Sequence, residues 1–135
     1  MRLQAEHQRV ERSIWFVEST LEIEQYFRAC DVYALPSIRE GLPIALLEAM
    51  ATGLGCIATS IAGSTDTLLE HRRTGCLVPA EDRSALTAAL ERLISDGEER
   101  RRWGAAAREV IVSKYAINVV APAWLAEYRA LAGRP

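Results

Sequence analysis

The spacing of apolar residues changes at Pro79. Before it, three short runs rich in β-branched and other apolar residues lie between turn signals, at residues 31–36, 56–59 and 75–79. Runs of this length and type predict buried strands of a parallel sheet. A fourth run, Ile14-Trp15-Phe16-Val17, predicts another strand, and residues 21–29 have the spacing of a short helix. The first eleven residues have a thin apolar stripe and are typical of the end of a helix.

After Pro79 the pattern is helical. Asp82 is a good N-cap, and apolar residues follow it at i, i+3, i+4, i+7 and i+8, namely Leu86, Ala89, Leu90, Leu93 and Ile94. Asp96-Gly97 ends this helix. Two more helices are predicted, one containing Trp103 and one at residues 118–132, with Pro122 in the first turn of the latter. Strands that alternate with helices, followed by a helical tail, predict an α/β fold with a parallel sheet covered on both faces.

Length and composition limit the class of protein to which this chain can belong. The 135 residues, half of them apolar, suffice for one domain, and a formal net charge of -2 gives no attraction to nucleic acid. Three widely spaced cysteines favour buried, reduced thiols. No apolar run approaches the roughly 18 residues of a membrane span, and the charged first residues lack the apolar core of a signal peptide. We therefore expect a soluble, cytoplasmic protein.

The candidate chemistry lies between residues 36 and 51, in a strand end, a glycine-containing loop and a helix start. Ligands of parallel α/β sheets bind at the carboxyl ends of the strands, where this loop lies. A helix start offers unpaired N–H groups and the positive end of a dipole, which suit a phosphate. Pro43, predicted as the first helical residue, has no N–H, and Gly41 lets the backbone approach a ligand. Gly53 and Gly55 are expected to end this helix. The candidate phosphate ligands are the amides of Leu42, Ile44 and Ala45.

Two carboxylates flank these amides. Glu40 lies in the loop, and Glu48 follows Pro43 by five residues, about 7.5 Å along the axis at roughly 1.5 Å per residue. A nucleotide sugar has a matching order, because a diphosphate joins two rings whose hydroxyls donate hydrogen bonds to carboxylates. The alternative is that Glu48 is a solvent-facing helix residue and Glu40 a capping or loop charge.

These residues form Glu-x7-Glu, preceded by Asp31-Val32-Tyr33-Ala34-Leu35-Pro36-Ser37 and followed by Ala49-Met50-Ala51-Thr52-Gly53. With residues 57–63 and 75–79 after it, this stretch resembles the C-terminal, sugar-donor-binding domain of the family-4 retaining glycosyltransferases. The resemblance covers most of residues 13–118. It implies the GT-B fold, in which two Rossmann-like domains face a cleft. The expected fold class is thus α/β, a Rossmann-like parallel sheet with flanking helices, as an incomplete half of a GT-B fold.

The resemblance also implies roles. Glu40 would be the catalytic residue, contacting the donor sugar near the reacting carbon, and Glu48 would bind the ribose. The diphosphate would lie against Gly41, Leu42, Pro43 and Ile44. The reaction would be retaining transfer of a sugar from a nucleoside diphosphate, by default UDP, to an acceptor hydroxyl. No cofactor and no metal are implied, and the sequence contains no Asp-x-Asp.

Parts of the family pattern have no counterpart in this sequence. They are two strands before Ile14, a loop whose Arg and Lys clamp the diphosphate, and the N-terminal acceptor domain. We expect residues 1–118 to form a truncated donor-binding domain and residues 119–135 a helix that crosses to the acceptor domain. The unpartnered edge at residues 14–17 and the last helix around Trp124 and Tyr128 are then candidates for self-association. Peripheral membrane attachment of a full-length enzyme stays open.

Two other interpretations stay open. The chain is a non-catalytic module that binds a nucleotide sugar or mediates an interaction, or it is an unrelated flavodoxin-like domain. Nucleotide binding tests the first of these against the donor-binding half of a glycosyltransferase, and strand order tests the second. In either glycosyltransferase-related case we expect the isolated chain to be inactive.

Overall fold

Three parallel strands form the centre of the fold. The computed structural model describes residues 9–133, with β1 at Val32–Leu35, β2 at Gly55–Thr59 and β3 at Cys76–Val78. Their order in the sheet is β1-β2-β3, and Tyr33 of β1 lies opposite Cys56 of β2. The strands predicted at residues 31–36, 56–59 and 75–79 are confirmed.

Helices accompany this sheet on both faces. Among residues 9–133 they are α1 Ile23–Ala29, α2 Ile44–Thr52, α3 Thr65–Leu68, α4 Arg83–Ser95, α5 Gly97–Lys114 and α6 Ile117–Ala132. All but α3 are predicted from the sequence, α2 by its proline and glycine boundaries and the others by apolar spacing. The helix α3 escapes detection because a single turn of four residues has no periodicity. The predicted cap is also present, since the Asp82 carboxylate accepts a hydrogen bond from the Ala85 N–H at 2.9 Å.

The strand predicted at residues 14–17 is wrong. A 3-10 turn covers Glu11–Ser13, and the chain then runs to α1 without joining the sheet. The side chains of Trp15 and Val17 are 92% and 52% exposed. A strand exists through its hydrogen-bonded partner, which apolar spacing in one segment cannot supply. The helix end predicted in the first eleven residues falls mainly on residues 1–8, outside the described part.

Two prolines differ slightly from their predicted positions. Pro43 is the N-cap of α2 rather than its first residue, with φ -76° and ψ 87°. Pro122 is the sixth residue of α6 rather than part of its first turn. Its missing N–H therefore removes a hydrogen bond to the carbonyl of Asn118, inside the helix.

The core forms on both faces of the sheet because β2 is buried along its whole length. Successive side chains of a strand point to opposite faces. Cys56 and Ala58 therefore join one apolar cluster, with Leu46 and Met50 of α2. Ile57 joins the other, which contains residues of α4 and α5. This two-sided burial explains why the sequence of β2 is continuously apolar.

Two glycines bring the backbones of α2 and α5 together. Gly53 ends α2, as predicted, in the left-handed conformation with φ 81°. A Cβ on Gly104 would lie 2.0 Å from the carbonyl oxygen of Gly53, well inside contact distance. Gly55, expected to help end the helix, is instead the first residue of β2. The close approach sets α2, and with it the amino end of α2, against α5.

The last helix, α6, lies on the outside. None of its residues is buried, and Trp124 and Tyr128 are 58% and 61% exposed. The sequence-based expectation of an exposed face around these two residues is confirmed for the described chain. Across residues 9–133, no helix combines the length and the apolar character that crossing a membrane requires.

Candidate functional site

The loop after β1 leads into the amino end of α2, at the carboxyl edge of the sheet. Glu40 in this loop is half-buried, and Gly41 is exposed with open space where a side chain would point. Pro43 is buried, whereas Leu42 and Ile44 are 61% and 54% exposed. The amino end of α2 is therefore accessible to a ligand.

Backbone N–H groups at this end of α2 lack partners. Within the described residues, no hydrogen bond is donated by the amides of Gly41, Leu42, Ile44 and Ala45. The Pro43 carbonyl accepts the N–H groups of Leu46 and Leu47, and Pro43 has no side-chain oxygen to cap the helix. Unpaired N–H groups at the positive end of a helix dipole are complementary to a phosphate.

Tyr33 of β1 lies near both carboxylates. The ring of Tyr33 packs edge-on against Phe27, with 5.5 Å between centroids. Burial, and then electrostatic interaction with Cys56, Glu40 and Glu48, raises the pKa of Tyr33 to about 12. Both carboxylates therefore lie within electrostatic range of one phenol. Sequence reasoning missed Tyr33, because an aromatic residue within a strand is indistinguishable from core.

Glu40 and Glu48 do not share either of the two grooves nearest the site. Glu48 is exposed on α2 and lines a groove of about 610 Å³ between α1, α2 and α5, together with Arg28 and Arg108. A second groove, of about 400 Å³, lies at the strand ends beside Pro36 and Thr59. Glu40 lies outside the lining of both grooves.

The two buried cysteines are not reactive thiols. Cys56 and Cys76 are buried as predicted, whereas Cys30 is exposed. Burial raises the pKa of Cys56 to about 12 and also raises the pKa of Cys76, so both thiols stay protonated near neutral pH. Within residues 9–133, His, Cys, Asp and Glu side chains form no group of three that could hold a metal.

A family model described as glycosyl transferases group 1 matches residues 1–110. The matched region contains the loop after β1 and all of α2. The chain belongs to this family. The Haemophilus influenzae protein described as an uncharacterized glycosyltransferase is 33% identical over 89 residues, which are 66% of this chain and 25% of that protein.

The name of a second relative specifies a sugar donor. The Escherichia coli UDP-Gal:alpha-D-GlcNAc-diphosphoundecaprenol alpha-1,3-galactosyltransferase is 39% identical over 75 residues, which cover 56% of this chain and 19% of that protein. The chain thus spans between 19% and 25% of the length of these two curated relatives.

Solved structures confirm the fold class. Sucrose-phosphate synthase from Thermosynechococcus elongatus superposes with a TM-score of 0.89 at 27% identity, over 96% of this chain and 33% of that chain. The C-terminal domain of the group 1 glycosyl transferase LpcC from Francisella tularensis superposes with a TM-score of 0.76 at 27% identity, over 86% of this chain and 60% of that chain. The fold is therefore the Rossmann-like α/β arrangement of GT-B glycosyltransferases. Three strands in sequence order also occur in flavodoxin-like sheets, so these superpositions, rather than strand order, exclude that interpretation.

Proposed function

We propose that this chain is the donor-binding, C-terminal half of a retaining glycosyltransferase that uses a nucleoside-diphosphate sugar. The observation that carries the proposal is the amino end of α2, where the amides of Gly41, Leu42, Ile44 and Ala45 are unpaired and accessible. Membership of the group 1 family supports it. These amides and the helix dipole would bind the pyrophosphate.

The two carboxylates would hold the rings on either side of the pyrophosphate. Glu48, exposed on α2, would accept hydrogen bonds from the ribose hydroxyls. Glu40 would contact the donor sugar beside the bond that breaks. Negative charge grows on the leaving nucleoside diphosphate in the transition state, so fixed N–H groups at that position lower the barrier.

We infer that a second domain supplies the acceptor site, since the chain spans only a quarter or less of the two curated relatives described above. The division into a donor-binding part at residues 1–118 and a crossing helix at residues 119–135 belongs to this proposal. So do a cytoplasmic location and catalysis without metal. UDP is the expected nucleotide, which the UDP-Gal named for the Escherichia coli relative supports.

Nucleotide titration of the purified chain tests donor binding. We expect UDP to bind more tightly than GDP or ADP in calorimetry. Glu48→Gln removes the charged hydrogen-bond acceptor and is expected to weaken UDP binding about ten- to hundredfold. The control is Glu91→Gln, an equally conservative change at an exposed position of α4, which should leave the affinity for UDP unchanged.

Failure to bind any of the three nucleotides at millimolar concentration would leave only an interaction role for the chain. An unchanged affinity in Glu48→Gln would remove Glu48 from the site. Incubation with a UDP-sugar tests the catalytic part separately. We expect no hydrolysis by the isolated chain, and hydrolysis that disappears in Glu40→Ala would contradict this.

A further inference from the structure

Ser64 makes an unusual contact for its position. It is the N-cap of α3, where a serine hydroxyl normally accepts a hydrogen bond from an N–H of the first turn. Here the side chain makes no such cap. Its Oγ instead donates to the carbonyl oxygen of Gly41, 23 residues earlier, at 2.7 Å. Ser64 is only 5% exposed, so this hydrogen bond is partly shielded from water.

This contact attaches the loop that precedes α2. Among the described residues, and apart from the regular ladders, residues 37–42 make no other hydrogen bond to the rest of the chain. Gly41 is exposed and lacks a Cβ, so its peptide would otherwise rotate easily. The Ser64 hydroxyl therefore supplies the hydrogen bond that ties this loop to the rest of the described chain.

Ser64 is itself held on the sheet. Thr65, which is fully buried, donates its hydroxyl to the carbonyl of Thr59 at the end of β2, at 2.5 Å. The Thr65 hydroxyl also accepts the N–H of Ile61 at 2.9 Å, and the N–H of Ser64 reaches the carbonyl of Ile61 at 3.1 Å. The end of β2 thus serves as a rigid support for the Ser64 side chain.

The geometry of the peptide bond links this support to the site. The carbonyl of Gly41 and the N–H of Leu42 belong to one planar trans peptide, so they point in opposite directions. When Ser64 fixes the carbonyl, it also aims the Leu42 N–H away from Ser64. Accepting a hydrogen bond at the carbonyl polarises the same peptide and strengthens its N–H as a donor.

We propose that Ser64 is a positioning residue for the pyrophosphate, holding the Gly41 carbonyl so that the Leu42 amide faces the ligand. The inference rests on the proposed function, because it assigns a support to that same site. Ser64 lies outside the loop and outside α2. Its contribution is to orient the amides before the nucleotide binds.

Three variants of Ser64 separate positioning from general stability. Ser64→Ala removes the hydroxyl, while Ser64→Thr and Ser64→Val have matching shapes and differ in the hydroxyl alone. We expect the Ala and Val variants to bind UDP about three- to tenfold more weakly, and the Thr variant to stay close to wild type. The control is Ser95→Ala, which removes a hydroxyl that donates to the carbonyl of Glu91 at 2.7 Å on α4.

Backbone amide relaxation measured by NMR provides a readout that needs no ligand. In Ser64→Ala and Ser64→Val, the order parameters of the amides of residues 38–42 should fall below those of wild type, with the remaining chain unchanged. Equal order parameters in all variants would overturn the proposal. So would a lower melting temperature with unchanged UDP affinity, since that pattern describes a structural role only.

The outcomes also separate this inference from the proposed function. If wild type binds UDP and Ser64→Ala binds it equally well, only the role of Ser64 is lost. If Ser64→Val behaves like Ser64→Thr, shape rather than the hydroxyl matters, and the role is again lost. If wild type does not bind UDP, donor binding and the positioning role fall together.

Discussion

Single residues set how closely the elements of this protein approach one another. At the crossing of α2 and α5, the Gly53 carbonyl occupies the space that a Cβ of Gly104 would need. The neighbouring atom is backbone and cannot swing away as a side chain would. At the open loop of the site, by contrast, an added Cβ on Gly41 would meet no atom within 4 Å. Of these two glycines, Gly104 is required by packing.

We expect Gly104→Ala to destabilise the fold. In an exposed helix this change stabilises by about 1 kcal/mol through helix propensity. Here the methyl would meet the Gly53 carbonyl at 2.0 Å, and separating two helices costs about 1–3 kcal/mol or more. The net loss in the free energy of unfolding should be about 1–2 kcal/mol, measured by urea unfolding.

Gly133→Ala is the matched control, because its added Cβ would lie 3.5 Å from the Arg129 carbonyl, an ordinary contact. The free energy of unfolding of this variant should stay within about 0.5 kcal/mol of wild type. Equal stability of the two variants would show that α2 and α5 separate without cost.

At the level of elements, polar residues join α4 to α5. Asp96 lies between the two helices, and its carboxylate caps α5 by accepting the N–H of Glu99 at 2.8 Å. The Glu99 carboxylate is 9% exposed and pairs with Arg92 of α4 through two guanidinium nitrogens. Arg92 also lies over the ring of Trp103, 5.6 Å from its centroid. The turn between the helices is therefore held by charge as well as by packing.

The Glu99 pair should make stability depend on acidity. The hydrogen bond from Arg92 lowers the pKa of Glu99 below its ordinary 4.5, although burial raises it in part. The folded state then binds fewer protons than the unfolded state near that pH. The stabilisation is present above pH 4.5 and is lost as pH falls through the folded pKa.

Glu99→Gln tests this dependence by urea unfolding between pH 7 and 3. Wild type should be more stable at neutral pH, and the two curves should converge on acidification. Glu98→Gln, a neighbouring exposed change, should follow wild type throughout. A difference between wild type and Glu99→Gln that stays constant with pH would show that the carboxylate charge contributes nothing.

At the scale of the whole molecule, the described chain leaves a large apolar surface uncovered. Leu125 and Leu131 of α6 are 48% and 57% exposed, beside Trp124 and Tyr128. The two aromatic rings lie 5.9 Å apart and form one continuous face. Faces of this kind mark sites of association. In the proposed two-domain enzyme, the other domain would cover this face.

We expect the isolated chain to self-associate through α6. Sedimentation velocity should show a weight-average mass that rises with concentration. Trp124→Lys with Tyr128→Lys should restore a monomer, whereas Ile94→Lys, at an exposed apolar position of α4, should not. A wild-type chain that stays monomeric at high concentration would contradict this prediction.

Much of the local structure could be predicted from the sequence. The apolar runs predict β1, β2 and β3, and the capping residues Asp82 and Asp96 mark the helix boundaries of α4 and α5. These signals succeed because each depends on neighbours a few residues away. The strand expected at residues 14–17 failed because strand formation depends on a distant partner.

Some features of the candidate site could be predicted from the sequence, and others could not. Pro43 and the start of α2 are local features, and they predict unpaired amides at Leu42, Ile44 and Ala45 from the sequence alone. Tyr33 near the two carboxylates, and the hydroxyl of Ser64 on the carbonyl of Gly41, appear only in the structure.

By itself, the sequence determined the strand and helix segments, the open helix start and the family pattern of Glu40 and Glu48. The tertiary structure decided which strands pair, where α2 lies against α5, and which distant hydroxyl holds the loop before α2. The physical reason is the distance along the chain over which each interaction acts. Backbone preferences and periodicity act within a turn or two of chain, whereas Ser64 and Gly41 meet across 23 residues through the packing of the whole sheet.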